Sequence, residues 1–241
     1  MKKTYAVLAA IAAIVLIVYA ILPNRSFCYD VFPRRENVLV DKYDDRTDGG
    51  TSEATIAVED SLLDFSCVLG MDTTAFAWCG ILWNLDPAKE ENYENWTFVD
   101  SLFLDVDASG TDEIIFKVWT YDPDVTDLEK PRSFKLLMKE VPLKQGRQKI
   151  AIPMEQFYTP EFWFQHAGVD QSYDKRHQES VARVEITPGW KHPRGKKFTL
   201  KVYGVSACGI SNVYFGAVLI IFLILTIVAV GHRHRQERDE K

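Results

Sequence analysis

The 241-residue chain lacks the short motifs that mark the common catalytic and metal sites. It has no Gly-x-Ser-x-Gly sequence, and its four cysteines and five histidines form no Cys-x-x-Cys or His-x-x-x-His pair. Carboxylates are so frequent in the chain that acidic pairs alone do not indicate a glycosidase. These absences predict that the protein is not an enzyme and, in particular, not a hydrolase.

The chain also lacks an excess of basic residues. It has 28 Lys and Arg against 34 Asp and Glu, which gives a formal net charge of −6. Nucleic-acid binding depends on clustered Lys and Arg that neutralise phosphates. The acidic balance therefore predicts that nucleic acid is not a partner.

Charged residues are missing altogether from two long apolar segments, residues 4–22 and 213–230. Each approaches the roughly 20 residues that a helix needs to cross a bilayer. The first follows Lys2 and Lys3, as a cleaved signal peptide would, but its apolar run exceeds the about 7–15 residues usual for such a peptide. We predict two transmembrane helices in contact with the lipid bilayer, with cleavage of the first as the alternative.

Basic residues flank both segments on the side away from the middle of the chain, namely Lys2, Lys3, Arg233, Arg235 and Arg238. The positive-inside bias then predicts that both termini are cytoplasmic and that the middle lies outside the plasma (inner) membrane, in the periplasm or the extracellular space. The predicted division is a cytoplasmic N-terminus at 1–3, a helix at 4–22, an extracytoplasmic domain at 23–212, a helix at 213–230 and a short basic cytoplasmic tail at 231–241.

The four cysteines all lie in the predicted extracytoplasmic domain and fit an oxidising compartment. Cys28 and Cys208 lie just after the first helix and just before the second, whereas Cys67 and Cys79 lie in two successive strand-like runs. Of the three possible pairings, this placement favours Cys28 with Cys208 and Cys67 with Cys79. Four buried free thiols are the alternative.

Apolar and polar residues alternate with a period of two through most of the middle, and no long helical period competes with them. The runs "SLFLDVD" from residue 101 and "EIIFKVWTY" from residue 113 are examples, and turn signals such as "DASGTD" and "TPGW" separate such runs. The predicted fold is all-β, a jelly-roll β-sandwich ectodomain flanked by N- and C-terminal transmembrane α-helices. Residues 161–180 are predicted to form a long surface loop.

Three stretches of the sequence carry a resemblance to a known family, namely "DDRTDGGTS", "YENWTFVDSLFLDVDASGTDEIIFKVWTYDP" and "QKIAIPMEQFYTPEFWFQ". Across about residues 38–206 the chain resembles the galactose-binding-like jelly rolls, particularly family 11 carbohydrate-binding modules and complex I intermediate-associated domains. The resemblance implies a concave face that holds a glycan on aromatic and acidic side chains. It also implies a relation to the ectodomains of bacterial membrane sensors.

Alternation indicates which side chains line that face. We assume that Leu102, Ile114 and the residues at every second position after them face the core. The opposite face then carries Phe103, Asp105, Lys117, Trp119 and Tyr121. Aromatic rings with one acid and one base are suited to a sugar, because rings pack on C–H faces and charged groups bond to hydroxyls. The alternative is that a second layer covers this face.

Further tryptophans divide into two groups. Trp163 and Trp190 lie in predicted loops and are candidate ligand contacts, although loop aromatics also cap the ends of a core. Trp78, Trp83 and Trp96 are predicted to be core residues.

The segment "YDDRTDGGTSE" places Asp44, Asp45 and Asp48 beside Gly49 and Gly50. Its spacing does not match an EF-hand. The favoured interpretation is a structural turn, with Asp48 forming an Asx-type turn and the glycines allowing positive φ or close backbone approach. A structural calcium ion on these three aspartates is the alternative.

Two functions follow from these features. The first is a membrane-anchored binding module that recognises a carbohydrate or glycoconjugate. The second is a sensing or assembly component of a membrane complex, whose ectodomain binds a protein partner.

Overall fold

The structure is a computed structural model that describes residues 2–21, 26–33, 37–73, 76–211 and 213–239. The chain divides into two compact units, one formed by Met1–Phe27 with Gly209–Lys241 and the other by Cys28–Cys208. The predicted boundaries at residues 22–23 and 212, and the chain ends at residue 1 and residues 240–241, lie outside the described residues.

The first unit contains two helices, α1 (Lys2–Ile21) and α3 (Val213–Asp239). Their apolar stretches have mean hydropathies of 2.5 and 2.9 and are long enough to cross a membrane, a test that an N-terminal signal sequence also passes. The two helices contact each other, with the Tyr5 and His232 rings 5.9 Å apart and the Tyr19 and Phe215 rings 6.4 Å apart.

The regular secondary structure in the described part of the second unit is mainly β-strand, because alternating residues give each strand one apolar face. A short helix, α2 (Glu161–Ala167), replaces the first part of the predicted loop at 161–180, and this part of the prediction is wrong. The strands are β1 (Ser26–Phe32), β2 (Leu39–Asp44), β3 (Glu53–Glu59), β4 (Leu62–Val68), β5 (Cys79–Asn84), β6 (Val99–Ser109), β7 (Glu113–Thr120), β8 (Lys135–Pro142), β9 (Gly146–Pro153), β10 (Val181–Pro188) and β11 (Lys197–Ile210).

The strands form two sheets. The six-stranded sheet has the order β3-β4-β11-β6-β9, with β1 also paired to β11, and the five-stranded sheet has the order β2-β5-β10-β7-β8. The chain passes repeatedly between the sheets, as a jelly roll requires. The predicted jelly-roll sandwich with a long apolar helix at each end is therefore confirmed.

The core lies between the inner faces of the two sheets. Leu102, Leu104 and Val106 of β6 and Phe116 and Val118 of β7 are buried almost completely, as their alternation predicts. Of the three tryptophans predicted to lie in the core, Trp83 and Trp96 are buried there. Trp78 is only half-buried, so for it the prediction is wrong.

Both predicted disulfides are present. Cys28 is bonded to Cys208 across 180 residues, and Cys67 is bonded to Cys79 across 12 residues. The first joins the two ends of the second unit, and the second joins β4 to β5 and therefore links the two sheets.

The aspartate-rich segment is the corner at which the chain leaves the five-stranded sheet after β2. Asp45 is buried, and its carboxylate accepts hydrogen bonds from the Ser52 backbone N–H (2.7 Å), the Ser52 hydroxyl (2.6 Å) and the Trp78 backbone N–H (3.1 Å). Gly49 has a φ of 84°, and a Cβ at Gly50 would overlap the Asp45 carboxyl group. The Asp-x-x-x-Gly-Gly-x-Ser spacing is thus the spacing of one hydrogen-bonded turn.

The predicted role of Asp48 in this turn is wrong. Asp44, not Asp48, caps the short 3-10 helix Asp45–Asp48, and it also pairs with the Arg46 guanidinium at 2.7 Å. Asp48 instead forms an ion pair with Arg132 at 2.8 Å. Calcium on these aspartates stays a prediction, although protein donors already engage both oxygens of Asp44 and of Asp45.

Candidate functional site

The five residues predicted to share one ligand face do not share it. Phe103 and Asp105 belong to β6 of the six-stranded sheet, whereas Lys117, Trp119 and Tyr121 belong to β7 of the five-stranded sheet or follow it directly. The inner faces of the two sheets form the core, so the outer faces point in opposite directions. The single predicted platform is therefore wrong.

The outer face of the six-stranded sheet is solvated and polar; we call it the open face. Phe103 is exposed there, and Asp105 is held by a bidentate pair with Arg147, with N–O distances of 2.8 and 2.9 Å. Arg147 also stacks on Tyr203 at 3.8 Å, and Lys149 lies 3.8 Å from Asp105. The Arg147 hydrogen bonds lower the pKa of Asp105 and leave this acid engaged within its own sheet.

The outer face of the five-stranded sheet is partly covered by α2 and the residues that follow it. The covering forms a second apolar cluster, the cap cluster, made of Ile115, Trp119, Leu136, Met138 and Trp163. Trp163 is buried and its indole N–H donates to the Phe134 carbonyl at 2.7 Å, while Trp119 is only 8% exposed. The prediction that Trp119 and Trp163 offer free rings to a ligand is wrong, because both rings are buried in this cluster.

Lys135 lies inside the same covering. Its ammonium is 4.1 Å from the Trp163 ring centre, 4.8 Å from that of Phe164 and 4.9 Å from that of Tyr173, and it donates to the Tyr173 carbonyl at 3.1 Å. Burial lowers the pKa of Lys135, with Asp122 and Asp174 opposing the shift. These contacts bind β8 to the capping segment through cation–π interactions.

Tyr121 stands beyond the end of β7 and is half-buried. It stacks on Tyr93 with ring centres 5.0 Å apart, and Phe134 packs edge-on against both rings. Burial raises the pKa of Tyr93 to about 12. Tyr121 is thus part of an aromatic cluster beside the cap, with one side of it accessible.

The rest of this outer face carries the group we call the Glu185 site: Tyr43, Trp78, Lys117, Arg183 and Glu185. Glu185 is only 6% exposed, and the other four side chains are half-buried around it. The Tyr43 hydroxyl donates to Glu185 Oε2 at 2.8 Å. Lys117 Nζ lies 3.9 Å from the same oxygen, and Arg183 Nε lies 2.9 Å from Glu185 Oε1. The Arg183 guanidinium also stacks on Trp119 at 4.3 Å, which fixes it at the border of the cap.

The strand register explains why these side chains converge. Glu185 of β10 lies directly opposite Lys117 of β7 and Leu82 of β5, and Gly80 of β5 lies opposite Tyr43 of β2. A Cβ at Gly80 would lie 2.7 Å from the Tyr43 ring. Glycine at this position therefore lets the Tyr43 ring lie flat across β5 toward Glu185.

Burial shifts the pKa values of Tyr43 and Lys117, two partners of Glu185, in opposite directions. Burial, and then the negative charge of Glu185, raises the pKa of Tyr43, so its hydroxyl remains a donor. Burial lowers the pKa of Lys117, although Glu185 opposes this shift. With Lys117 and Arg183 as partners, the charge of Glu185 is compensated within the site.

Trp78 forms the aromatic border of the site. Its ring centre is 5.7 Å from that of Tyr43, and the Arg132 guanidinium lies 5.7 Å from it. The Trp78 backbone belongs to the corner at Asp45, while its half-buried ring lies between Tyr43 and the Arg132 guanidinium. An open cavity of about 500 Å³, within the usual size of a ligand pocket, adjoins Tyr43 at the β2 edge and is lined by Lys42, Tyr43, Asp44, Arg46 and Thr47.

Sequence reasoning found Lys117 but missed the other four members of this site. A signal for two of them was present, since "RVEI" places Val184 and Ile186 in the core and therefore turns Arg183 and Glu185 outward. No comparable signal marked Trp78, because it adjoins the buried Cys79 without a clear alternation.

Trp190 lies in the loop between β10 and β11 and is 60% exposed. Its candidate role in ligand contact stays a prediction. It lies apart from the Glu185 site, beside Glu140 at the far edge of the five-stranded sheet.

No protein-family model matches the chain, and no curated protein matches it. Among solved structures it aligns with the family 11 carbohydrate-binding module of a cellulosomal cellulase of Clostridium thermocellum, with 14% identity, a TM-score of 0.49 and coverage of 76% of this chain and 94% of that one. A family 30 carbohydrate-binding module aligns with 10% identity, a TM-score of 0.48 and coverage of 77% and 99%. Similarities this low carry no information on a ligand, which is therefore argued from the residues of this chain.

Proposed function

We propose that the β-sandwich domain binds a neutral oligosaccharide at the Glu185 site and that α1 and α3 anchor it in a membrane. The observation that carries the proposal is the pairing of two half-buried rings, Tyr43 and Trp78, with an acid that two cations contact. Apolar ring faces with a few fixed polar groups are typical of sites for small polar ligands.

The chemistry of the site favours an uncharged polyol. Lys117 and Arg183 supply N–H donors for ligand hydroxyls, while Glu185, whose two oxygens face Tyr43, Lys117 and Arg183, holds these donors in place. The formal charge of the three groups is +1, but each of them already has a partner of opposite charge, so a strongly charged ligand would have to displace an existing ion pair. Tyr43 and Trp78 offer C–H contacts to a pyranose ring.

Membrane anchoring is supported by the length and hydropathy of the two terminal helices. The two disulfides support a domain on the oxidising side of that membrane, with the basic flanks of the helices in the cytoplasm. Single cysteines introduced by Ser61→Cys in the domain and by His234→Cys near the C-terminus, labelled from either side of intact membranes, would locate each part. Labelling of both from the same side would contradict this topology.

Binding is tested with the full-length protein in detergent micelles on an array of neutral oligosaccharides. We expect one class of glycan to bind the wild type and to lose most of its binding to Trp78→Ala and to Glu185→Gln. Phe103→Ala on the open face is the matched control and should bind normally. Absence of binding to every neutral glycan, or equal binding by Trp78→Ala and wild type, would contradict the proposal.

A further inference from the structure

A second group of exposed aromatic side chains lies at the β8 edge of the five-stranded sheet. Tyr158, Phe162 and Trp190 are 44%, 39% and 60% exposed. Tyr158 is paired with Met138 of β8 by an isolated bridge, Phe162 lies in the first turn of α2, and Trp190 follows β10. The rings of Phe162 and Trp190 meet edge-to-face with centres 6.4 Å apart.

These side chains converge on one acid, Glu140 of β8. Its Oε1 atom accepts hydrogen bonds from the Tyr158 hydroxyl at 2.6 Å and from the Trp190 indole N–H at 3.0 Å. Within the described residues, Oε2 accepts no hydrogen bond from another residue and no cation forms an ion pair with Glu140. One carboxylate oxygen is therefore held by neighbouring side chains and the other is left for a ligand.

The acid is kept ionised. Burial raises the pKa of Glu140, but the Tyr158 and Trp190 donors and the charge of Lys139 together bring it below its ordinary value. Burial and the bond to Glu140 raise the pKa of Tyr158 to about 12, so this hydroxyl remains a donor. The result is a fixed negative charge among three exposed rings.

Comparison with Glu185 identifies the ligand chemistry. Glu185 has two cationic partners, whereas the hydrogen bonds to Glu140 come from neutral groups. A carboxylate that has no ion-pair contact and lies beside aromatic faces complements a ligand that brings its own positive charge, since an ammonium is attracted both by the acid and by the rings.

We propose that Glu140, Tyr158, Phe162 and Trp190 form a second ligand site that takes an amino sugar, with the ammonium on Glu140 Oε2 and the pyranose face on Trp190. The two sites share no residue. Glu185 on β10 and Glu140 on β8 are two strand spacings apart, about 10 Å, and Ile115 of the cap cluster lies directly opposite Glu140 on the strand between them.

The test compares two oligomers of equal length, one of glucosamine and one of N-acetylglucosamine, below the pKa of the sugar amine. Binding to the full-length protein in detergent micelles is measured by calorimetry. We expect the glucosamine oligomer to bind at least about tenfold more tightly, and added salt to reduce this preference. Equal affinities for the two oligomers, or no binding of the glucosamine oligomer, would overturn the proposal.

Two variants assign the preference to this site. Glu140→Gln keeps the shape and the Tyr158 and Trp190 contacts but removes the charge, so it should lose about tenfold in glucosamine binding. Glu59→Gln removes the same charge from an exposed position on β3 and should bind as the wild type does. The proposal is overturned if the two variants bind glucosamine equally.

Two further variants separate this site from the Glu185 site. Trp190→Ala should weaken glucosamine binding and leave neutral oligosaccharides unaffected, because its exposed ring packs against Phe162, beside Glu140 and apart from Trp78. Trp78→Ala should do the reverse. Loss of glucosamine binding in Trp78→Ala with retention in Trp190→Ala would assign the amino sugar to the Glu185 site and overturn the proposal.

Discussion

The outer faces of the two sheets arise from the same alternating sequence pattern but lie in different environments. On the open face, Phe103 is exposed and Asp105 is held by Arg147. On the five-stranded sheet, Trp119 at an equivalent outward position is buried beneath α2. Alternation decides that a side chain leaves the core, whereas a segment distant in sequence decides whether it reaches solvent.

The two outer faces also differ in the candidate ligand residues that they carry. On the open face, Arg147 pairs with Asp105 and stacks on Tyr203, and Phe103 is exposed apart from them. The capped sheet concentrates rings and charges at the borders of its cap, where Arg183 stacks on Trp119 and Glu140 meets Tyr158. The partial cap thus leaves aromatic and charged side chains together at two of its borders.

The largest expected effect comes from removing the centre of the cap. Trp163→Ala should destabilise the domain by about 3–5 kcal/mol, because it empties a buried site and leaves the Phe134 carbonyl without its donor. Phe103→Ala, on the open face, should change the free energy of unfolding by no more than about 0.5 kcal/mol. Urea unfolding of the full-length protein in detergent micelles measures both.

Equal losses in these two variants would contradict the distinction between the faces. A large loss for Phe103→Ala would show that the open face is covered as well.

A smaller effect is expected in the pH dependence of stability. Because burial lowers the pKa of Lys135, the unfolded chain binds more protons than the folded one between that lowered pKa and the ordinary value of 10.5. Lys135 therefore makes stability rise as the pH rises through this window. Lys135→Met should remove that contribution, so the stability of wild type should increase relative to the variant with rising pH.

The matched control is Lys149→Met, which removes the same charge from an exposed lysine of the open face. Its stability should follow the wild type in parallel across the same pH range. Parallel curves for Lys135→Met and wild type would mean that the cap does not bury this ammonium.

The smallest effect is expected for the ion pair on the open face. The Arg147 bonds lower the pKa of Asp105, so its stabilisation is present above the ordinary value of 3.8 and is lost as the pH falls through the lowered pKa. Asp105→Asn should therefore cost little at neutral pH and nothing in strong acid, since an exposed pair is screened by solvent. Thermal unfolding at both pH values checks this, and a large loss at neutral pH would contradict the open-face assignment.

Much of the fold could be predicted from the sequence because its determinants are local. Alternation located β6 and β7, and the aspartates beside Gly49 and Gly50 located the corner, since both depend on neighbouring residues. The prediction of one ligand face was wrong because it assumed that β6 and β7 share a sheet. In the structure β6 pairs with β9 and β7 pairs with β8, and alternation within a strand does not indicate its partner. The burial of Trp119 likewise depends on Trp163, 44 positions later in the numbering.

Neutral-glycan binding to the full-length protein, compared between Trp78→Ala and Phe103→Ala, tests the central claim most directly. The Trp78 side chain borders the Glu185 site, while its backbone alone takes part in the corner at Asp45. We expect Trp78→Ala to weaken binding about tenfold or more without unfolding the domain, and Phe103→Ala to leave it unchanged. Normal binding by folded Trp78→Ala, with loss in Phe103→Ala, would place the ligand on the open face and contradict the account.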